Sequence, residues 1–259
     1  MINESSPFNG YSQYYDAFYS DKDYSGEVDR IVSIIRSIHP TAQSMLELGC
    51  GTGNHAAFLS QAGFRTTGID RSDEMVRVAS AKSIENFRPI VADIRNFHVG
   101  QKFDVSISLF HVISYLTANR DLISCLRSVN NHLRKDGLFL FDAWYSPAIH
   151  HQKPEARTKY CVKGHLELER LAEPVSDINR NVVDVHYKIS VKDTITNNTK
   201  VINENHSMRH FSIPEIELLA ELTGFQLVDV QELLTGKEPR LDSWAICFVL
   251  KKSREPYTC

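Results

Sequence analysis

Short apolar runs alternate with amphipathic stretches of helical length along the first half of the chain. The apolar runs begin at residues 44, 64, 88, 103 and 138, and helices are expected over residues 55–61, 72–82 and 120–133. Strands that alternate with helices of this length are typical of βαβ units and of a parallel sheet. The pattern therefore predicts an α/β fold built on an open parallel sheet.

An aromatic segment and a helix precede this pattern. Five aromatic residues lie within nine positions, namely Tyr11, Tyr14, Tyr15, Phe18 and Tyr19. Packing of one helical face against a core would require fewer aromatic residues than these five. We therefore expect the segment to form a lid over a ligand, with core packing as the alternative. Apolar residues at helical spacing then run from Val28 to Ile35, and Pro40 ends that helix.

The pattern changes after the fifth strand. Three stretches of strand length, over residues 165–171, 182–192 and 200–210, are joined by turn-like segments and are typical of an antiparallel meander. A helix (213–223) and two further strands (225–232 and 243–251) follow. We therefore divide the chain into an N-terminal aromatic segment and helix (1–36), a core (37–150 and 211–252) and an antiparallel insertion (151–210).

Composition excludes several classes of protein. The 259 residues include 29 basic and 32 acidic side chains, a formal net charge of -3, with no run of Lys and Arg, so we expect no nucleic-acid partner. The five cysteines show no C-x-x-C spacing, and neither a signal peptide nor a transmembrane helix is predicted. We expect a cytoplasmic protein with reduced thiols, no metal site and no membrane partner.

A glycine-rich loop follows the first strand. It reads Glu47-Leu-Gly49-Cys-Gly51-Thr-Gly53, and Asp70 ends the second strand. Glycines let the backbone turn sharply and approach a ligand where a Cβ would clash. A carboxylate at the end of the second strand can accept both ribose hydroxyls of a nucleoside. The loop therefore predicts a cofactor that contains a nucleoside.

The acid before the glycines distinguishes between two such cofactors. The dinucleotide fingerprint is G-x-G-x-x-G, which this loop lacks. Glu47 would repel a diphosphate but suits the ammonium group of S-adenosylmethionine (SAM). We therefore predict SAM as the cofactor. A nicotinamide-dependent dehydrogenase and a generic strand–turn–helix connection are the alternatives.

Residues 44–142 resemble the Rossmann-like core of class I SAM-dependent methyltransferases. Residues 46–53 are similar to the first motif of that family, Gly68-Ile-Asp70 to the second, and Val91-Ala-Asp93-Ile94 to the third. The resemblance implies that Asp93 and the backbone N–H of Ile94 recognise adenine. It also implies the fold class, a Rossmann-like parallel-sheet methyltransferase core with a small antiparallel β insertion after strand 5.

The whole chain also resembles bacterial N-methyltransferases that act on 3-amino groups of dTDP-linked deoxysugars. The similar stretches are Tyr15-Asp16 with Lys22-Asp23-Tyr24, residues 109–116 after strand four, and residues 142–147. In that family N-terminal tyrosines close over SAM, which implies this role for Tyr15 and Tyr24. It likewise implies that Leu109 lies beside the cofactor and that the inserted sheet forms a homodimer. The chain differs at Tyr115, where the family has histidine, and at Val112, where it has serine.

His111 is the candidate acid–base residue, because an imidazole titrates near neutral pH and this one follows the carboxyl end of a strand. A structural hydrogen bond within the loop is the alternative. Tyr115 is a second catalytic candidate that could orient the acceptor or simply pack, and His55 is assigned a structural role. The candidates for the substrate pocket are Tyr11, Trp144, Tyr145 and Arg209, with core packing or solvent exposure as alternatives.

The predicted function is methyl transfer from SAM to a small polar acceptor, an amine such as a nucleotide-linked amino sugar. The alternatives are a small-metabolite O-methyltransferase and a non-catalytic SAM-binding protein.

Overall fold

A computed structural model describes residues 12–256. In chain order the elements are α1 (Ser12–Phe18), α2 (Tyr24–Ile38), β1 (Ser44–Leu48), α3 (Asn54–Gln61), β2 (Arg65–Asp70), α4 (Asp73–Ala81), β3 (Phe87–Val91), β4 (Phe103–Ser108), a 3-10 turn (Val112–Tyr115), α5 (Asn119–His132), β5 (Leu133–Trp144), α6 (Ser146–Gln152), β6 (Arg157–Lys163), β7 (Leu166–Asp177), β8 (Val182–Asp193), β9 (Thr199–Arg209), α7 (Ile213–Leu222), β10 (Phe225–Glu232) and β11 (Ala245–Lys252).

The described residues form two compact units. One comprises residues 12–22 and 153–209, and the other residues 23–152 and 210–256. The N-terminal segment, expected as one unit over 1–36, is thus divided: α1 belongs with the antiparallel strands, whereas α2 belongs with the core.

The larger unit is a seven-stranded, mostly parallel sheet in the order β10-β11-β5-β4-β1-β2-β3. The first five strands pair in parallel, and β11 joins the sheet antiparallel to both β5 and β10. This arrangement confirms the predicted α/β class and the Rossmann-like core. The carboxyl ends of β1, β2 and β4 meet at one edge, where open parallel sheets bind their ligands.

Side chains that alternate along the strands fill two hydrophobic clusters. In one cluster Leu46 of β1 and Phe141 of β5 pack with residues of α5 and α7. In the other, Met45 of β1 and Leu140 of β5 pack with residues of α2 and α3. Successive strand residues point to opposite faces, so the two clusters cover the sheet on both sides. Only the ends of the strands are then left for polar groups that bind a ligand.

Helix α2 shows how local sequence fixes an element of this core. The Asp23 side chain accepts a hydrogen bond from the Gly26 backbone N–H at 2.8 Å and so caps the first turn. The buried face carries Val28, Ile31, Ile34 and Ile35, the spacing that predicted the helix. Pro40 follows the last turn, as expected.

Strand β5 begins earlier than predicted. The fifth apolar run begins at residue 138, whereas β5 already begins at Leu133. Asp136 adopts a φ of 61°, and the pairing with β4 shifts between Phe103 and Val105. The start of β5 therefore contains an irregularity of the kind that bulges produce. Helix α6 was not predicted.

The smaller unit is a four-stranded antiparallel sheet in the order β6-β7-β8-β9, with α1 packed on it. The meander is confirmed, but its first strand, β6, was missed because most of its residues are exposed and carry little hydrophobic signal. The guanidinium of Arg170 lies 5.2 Å, 5.3 Å and 4.9 Å from the ring centres of Phe18, Tyr19 and Tyr187. Arg170 also donates a hydrogen bond to the Tyr19 hydroxyl at 2.8 Å, and so adds to the apolar packing of Tyr14 and Phe18 that holds α1 on the sheet.

None of the helices within residues 12–256 is long and apolar enough to cross a membrane.

Candidate active site

The glycine loop is held against the end of β2. The backbone N–H groups of Gly49 and Cys50 both donate to the Ile69 carbonyl, at 2.7 Å and 3.0 Å. Gly49 adopts a φ of +68°, and a Cβ at this position would lie 2.5 Å from Cγ1 of Val112. The segment after β4 therefore closes over the loop at a distance that only glycine permits.

Asp70 lies at the end of β2, facing the same loop. One carboxylate oxygen accepts the Gly51 N–H at 3.0 Å, and the other accepts the Ser72 N–H at 2.9 Å. Burial raises the pKa of Asp70, and the two backbone donors partly oppose that shift. The carboxylate is thus fixed at the edge of the sheet, and each of its oxygens retains a second lone pair for a ligand hydroxyl.

Glu47 is the most unusual acid of the site. The residue is 1% exposed, and its Oε2 atom has no hydrogen-bond partner among the described residues. Burial, followed by the negative charge of Asp70, raises the pKa of Glu47 to about 8. An unpaired carboxylate oxygen in a buried position has a strong preference for a cationic or proton-donating ligand.

His55 connects Glu47 to two side chains of α2, Glu27 and Tyr24. The Nδ1 atom of His55 lies 3.8 Å from Oε1 of Glu47, and its Nε2 atom lies 2.8 Å from Oε2 of Glu27. The ring of Tyr24 meets the His55 ring edge-on, with centroids 4.9 Å apart. Tyr24, predicted to close over the cofactor, therefore lies at the N-terminus of α2 against the histidine that borders Glu47.

Asp93 follows β3 and forms a tight pair with Arg95. The Arg95 Nε atom donates to both Asp93 oxygens at 3.0 Å, and the Arg95 backbone N–H donates to Oδ1 at 2.9 Å. These hydrogen bonds lower the pKa of Asp93, so the carboxylate is ionised and held in one orientation. The neighbouring side chain of Ile94 is partly buried against the core.

The segment after β4 carries His111. Its Nδ1 atom lies 2.6 Å from Oδ2 of Asp142 at the end of β5, and its backbone N–H donates to Oδ1 at 3.3 Å. The Trp144 ring lies 6.2 Å from the His111 ring, between centroids. Tyr115 ends the 3-10 turn and is half-buried. Leu109 has a buried side chain within the core, and its position beside the cofactor stays a prediction.

The structure brings together most of the predicted site residues at the carboxyl edge of the main sheet: Tyr24, Glu47, Gly49, Gly51, Gly53, Asp70, Asp93, Ile94, Leu109, His111, Tyr115, Trp144 and Tyr145. Tyr15 on α1 and Arg209 at the end of β9 belong to the smaller unit, and their site roles stay predictions. Tyr11 lies outside the described residues.

Sequence reasoning missed three participants. Glu27 and the role of His55 were missed because their contacts near Glu47 depend on how α2 and α3 pack. The available signal was the position of Glu27 in the first turn of the helix that begins at Tyr24. Trp244 was not considered, and its ring meets Trp144 at 6.4 Å. Its position just before β11, which pairs with β5, was the available signal.

Comparisons with known proteins agree with this geometry. Residues 45–137 match the methyltransferase domain family. The dTDP-3-amino-3,4,6-trideoxy-alpha-D-glucopyranose N,N-dimethyltransferase of Streptomyces venezuelae is 32% identical over 135 residues, which cover 51% of this chain and 56% of that protein. The chain thus spans little more than half the length of this relative.

Two other proteins match almost the whole chain. The putative methyltransferase YqeM of Bacillus subtilis is 27% identical over 95% of this chain and 98% of its own length. A crystal structure of a SAM-dependent methyltransferase from Clostridium acetobutylicum superposes with a TM-score of 0.79 at 22% identity, covering 95% of this chain and 99% of that one. The chain therefore carries a methyltransferase domain over residues 45–137, within a Rossmann-like methyltransferase fold.

Proposed function

We propose that this protein is a SAM-dependent N-methyltransferase whose acceptor is a small polar amine, such as a nucleotide-linked amino sugar. The observation that carries the proposal is Glu47, which is a buried acid with an unpaired Oε2 atom beside a glycine loop. The ammonium group of SAM supplies the positive charge and the hydrogen-bond donors that an ionised Glu47 requires, whereas a diphosphate brings only negative charge.

The remaining groups fit the other parts of SAM. Asp70 presents a fixed carboxylate for the ribose hydroxyls, and Asp93 with the Ile94 backbone N–H suits the adenine edge. The positive φ of Gly49, Gly51 and Gly53 lets the loop backbone approach the ligand closely. Tyr15 and Tyr24 are proposed to cover the bound cofactor.

When bound, SAM supplies a methyl group on a positively charged sulfur. The protein must then align an acceptor lone pair with that methyl group and exclude water. His111 is proposed to accept the proton that an ammonium acceptor has to lose, and Tyr115 to orient the acceptor. Trp144 and Tyr145 at the end of β5 supply an aromatic wall, and Arg209 is proposed to bind an anionic part of the substrate.

The relatives support an amine as the acceptor. The matched Streptomyces venezuelae protein is named an N,N-dimethyltransferase of a dTDP-linked amino sugar. Such a substrate combines a polar ring, a basic nitrogen and a diphosphate. The aromatic wall is suited to the sugar ring.

Matched substrates test the proposal. The purified protein is incubated with SAM and either a dTDP-amino sugar or its hydroxyl counterpart, and the products are analysed by mass spectrometry. Methylation of the amine alone is expected. Turnover of the hydroxyl compound alone would make the protein an O-methyltransferase. Binding of SAM without turnover of any acceptor would support a binding module, and stabilisation by NAD instead of SAM would reject the cofactor assignment.

The antiparallel sheet is proposed to form a homodimer. Tyr160, Val162 and Val201 are exposed and share one face of the sheet, by strand alternation in β6 and by pairing through β7 and β8. Exposed apolar residues on one face favour association with a second copy. Sedimentation at micromolar concentration is expected to give a dimer, and a monomer would reject this assembly.

A further inference from the structure

His111 and Asp142 come from neighbouring strands and contact each other at the proposed site. Asp142 lies in β5 and its side chain is 3% exposed, whereas the His111 side chain is 19% exposed. Asp142 touches both the ring and the backbone of His111, at 2.6 Å and 3.3 Å. A nearly buried carboxylate is thus paired with a histidine that keeps one side open to solvent.

The backbone around His111 is held in an unfavourable conformation. Phe110 and His111 have φ values of 66° and 61°, in the left-handed region that non-glycine residues rarely adopt. The hydrogen bond from His111 N–H to Asp142, and the contact of Val112 with Gly49, hold this conformation. Strained residues retained at a strand end are a feature of functional sites.

The position of the carboxylate decides which ring nitrogen carries the proton. A lone pair on Nδ1 would face the Asp142 oxygen at 2.6 Å, and the two would repel each other. A proton on Nδ1 turns that repulsion into attraction. In this ring orientation the N–H direction is not aligned for a hydrogen bond, and Nδ1 has no hydrogen-bond partner among the described residues. The pair therefore requires the His111 ring to turn toward Asp142.

We propose that Asp142 is a positioning residue for His111, holding the proton on Nδ1 and leaving Nε2 as the proton acceptor. This inference rests on the proposed methyl transfer. The acceptor ammonium gives one proton to Nε2 and keeps the N–H electron pair. That pair forms the new N–C bond as the S–C bond of the sulfonium breaks, and the electrons of the broken bond remain on sulfur. Asp142 stabilises the resulting imidazolium and takes up no proton.

Nitrogen NMR of the histidine rings tests the pairing without any acceptor. The whole protein, labelled with 15N-histidine, is examined at a pH where the His111 ring is neutral, with His111→Gln used to assign the signal. Nδ1 is expected to be the protonated nitrogen in the wild type. Asp142→Asn is expected to shift the population toward the Nε2-protonated form. A wild-type His111 ring protonated on Nε2 would overturn the proposal, and His111→Asn provides the assignment if His111→Gln does not fold.

Kinetics test the catalytic consequence. Asp142→Asn is expected to lower kcat by roughly 10²-fold, with the dissociation constant of SAM nearly unchanged, and Asp142→Glu should restore part of the rate. His111→Gln should be as slow as the double variant, because Asp142 acts only through His111. The proposal would be contradicted if the double variant had a lower kcat than His111→Gln alone, or if Asp142→Asn left kcat unchanged. A wild type that methylates no acceptor would refute the proposed function, and the NMR result would still decide the pairing.

Discussion

His55 Nδ1 lies 3.8 Å from Glu47 Oε1, and the same imidazole contacts Glu27 at 2.8 Å through its other nitrogen. The histidine is therefore placed between a buried acid and a second acid nearer the surface. This position makes His55 a support for Glu47 and not merely a packing residue. The proposal that Glu47 binds the SAM ammonium then predicts a remote effect on cofactor affinity.

His55→Gln is expected to weaken SAM binding roughly tenfold, which corresponds to about 1.4 kcal/mol. The reason is that Glu47 would lose the neighbour that borders its Oε1 atom, and Glu27 would lose its partner. Calorimetric titration with SAM measures the effect. His186→Gln is the matched control, because His186 is exposed on β8 in the smaller unit. Equal affinities in wild type and His55→Gln would show that His55 is structural only.

Binding of SAM is expected to release a proton near neutral pH. Because the pKa of Glu47 is raised to about 8, most of the free protein carries a neutral Glu47 at pH 7. Pairing with the ammonium group requires the ionised form, so the proton must leave. Calorimetry in two buffers of different ionisation enthalpy gives the number of protons released. The wild-type protein should release up to about one proton for each SAM molecule bound, and Glu47→Gln should release none. The same proton release in both proteins would assign it to another group.

Glu47 should also make the free protein less stable as the pH rises. Its folded pKa is raised, so the folded state binds more protons than the unfolded state between the ordinary glutamate pKa and about 8, and stability falls across that window. Between pH 5.5 and pH 8.5 we expect wild type to lose about 3 kcal/mol relative to Glu47→Gln. Urea unfolding at the two pH values measures this difference. Parallel pH dependences of the two proteins would contradict the assignment.

Gly49→Ala should damage the loop more than an alanine at another glycine with positive φ. Both Gly49 (φ +68°) and Gly63 (φ +86°) pay the same backbone penalty of about 1 kcal/mol on substitution, but only Gly49 has Val112 within 4 Å. Gly63→Ala is therefore the matched control. SAM binding should be lost in Gly49→Ala and kept in Gly63→Ala, and adding Val112→Ala to Gly49→Ala should restore part of it. Equal effects of the two alanines would show that the contact with Val112 is not limiting.

Arg170→Met is expected to loosen α1 from the antiparallel sheet. It removes the contacts of the guanidinium with Phe18, Tyr19 and Tyr187 and the hydrogen bond to the Tyr19 hydroxyl. Hydrogen exchange over residues 12–22 should become faster. Lys188→Met, at an exposed position of β8, provides the control. Unchanged exchange in Arg170→Met would show that apolar packing alone holds the helix.

The sequence predicted the parallel core well because its signals are local. The capping side chain of Ser72 accepts the Met75 N–H at 3.3 Å, and the buried face of α2 follows the expected spacing. Strand β6 was missed because two exposed apolar residues, Tyr160 and Val162, do not mark a buried face. The cofactor acids could be named because each belongs to a short local motif at the end of a strand. The contacts of His55 with Glu27 and of His111 with Asp142 join residues that are 28 and 31 positions apart. Packing of α2 against α3 creates the first contact and pairing of β4 with β5 the second, so neither is visible in the local sequence.

The left-handed backbone at Phe110 and His111 has a consequence for how this protein can evolve. Glycine at either position would relieve the strain, so selection for thermal stability alone would favour its appearance there. At position 111 that change would remove the imidazole, and at position 110 it would loosen the turn that aims it. If the proposed reaction is no longer under selection in a descendant of this protein, glycine should soon replace Phe110 or His111. Descendants that still carry out the reaction should keep both residues despite the strain.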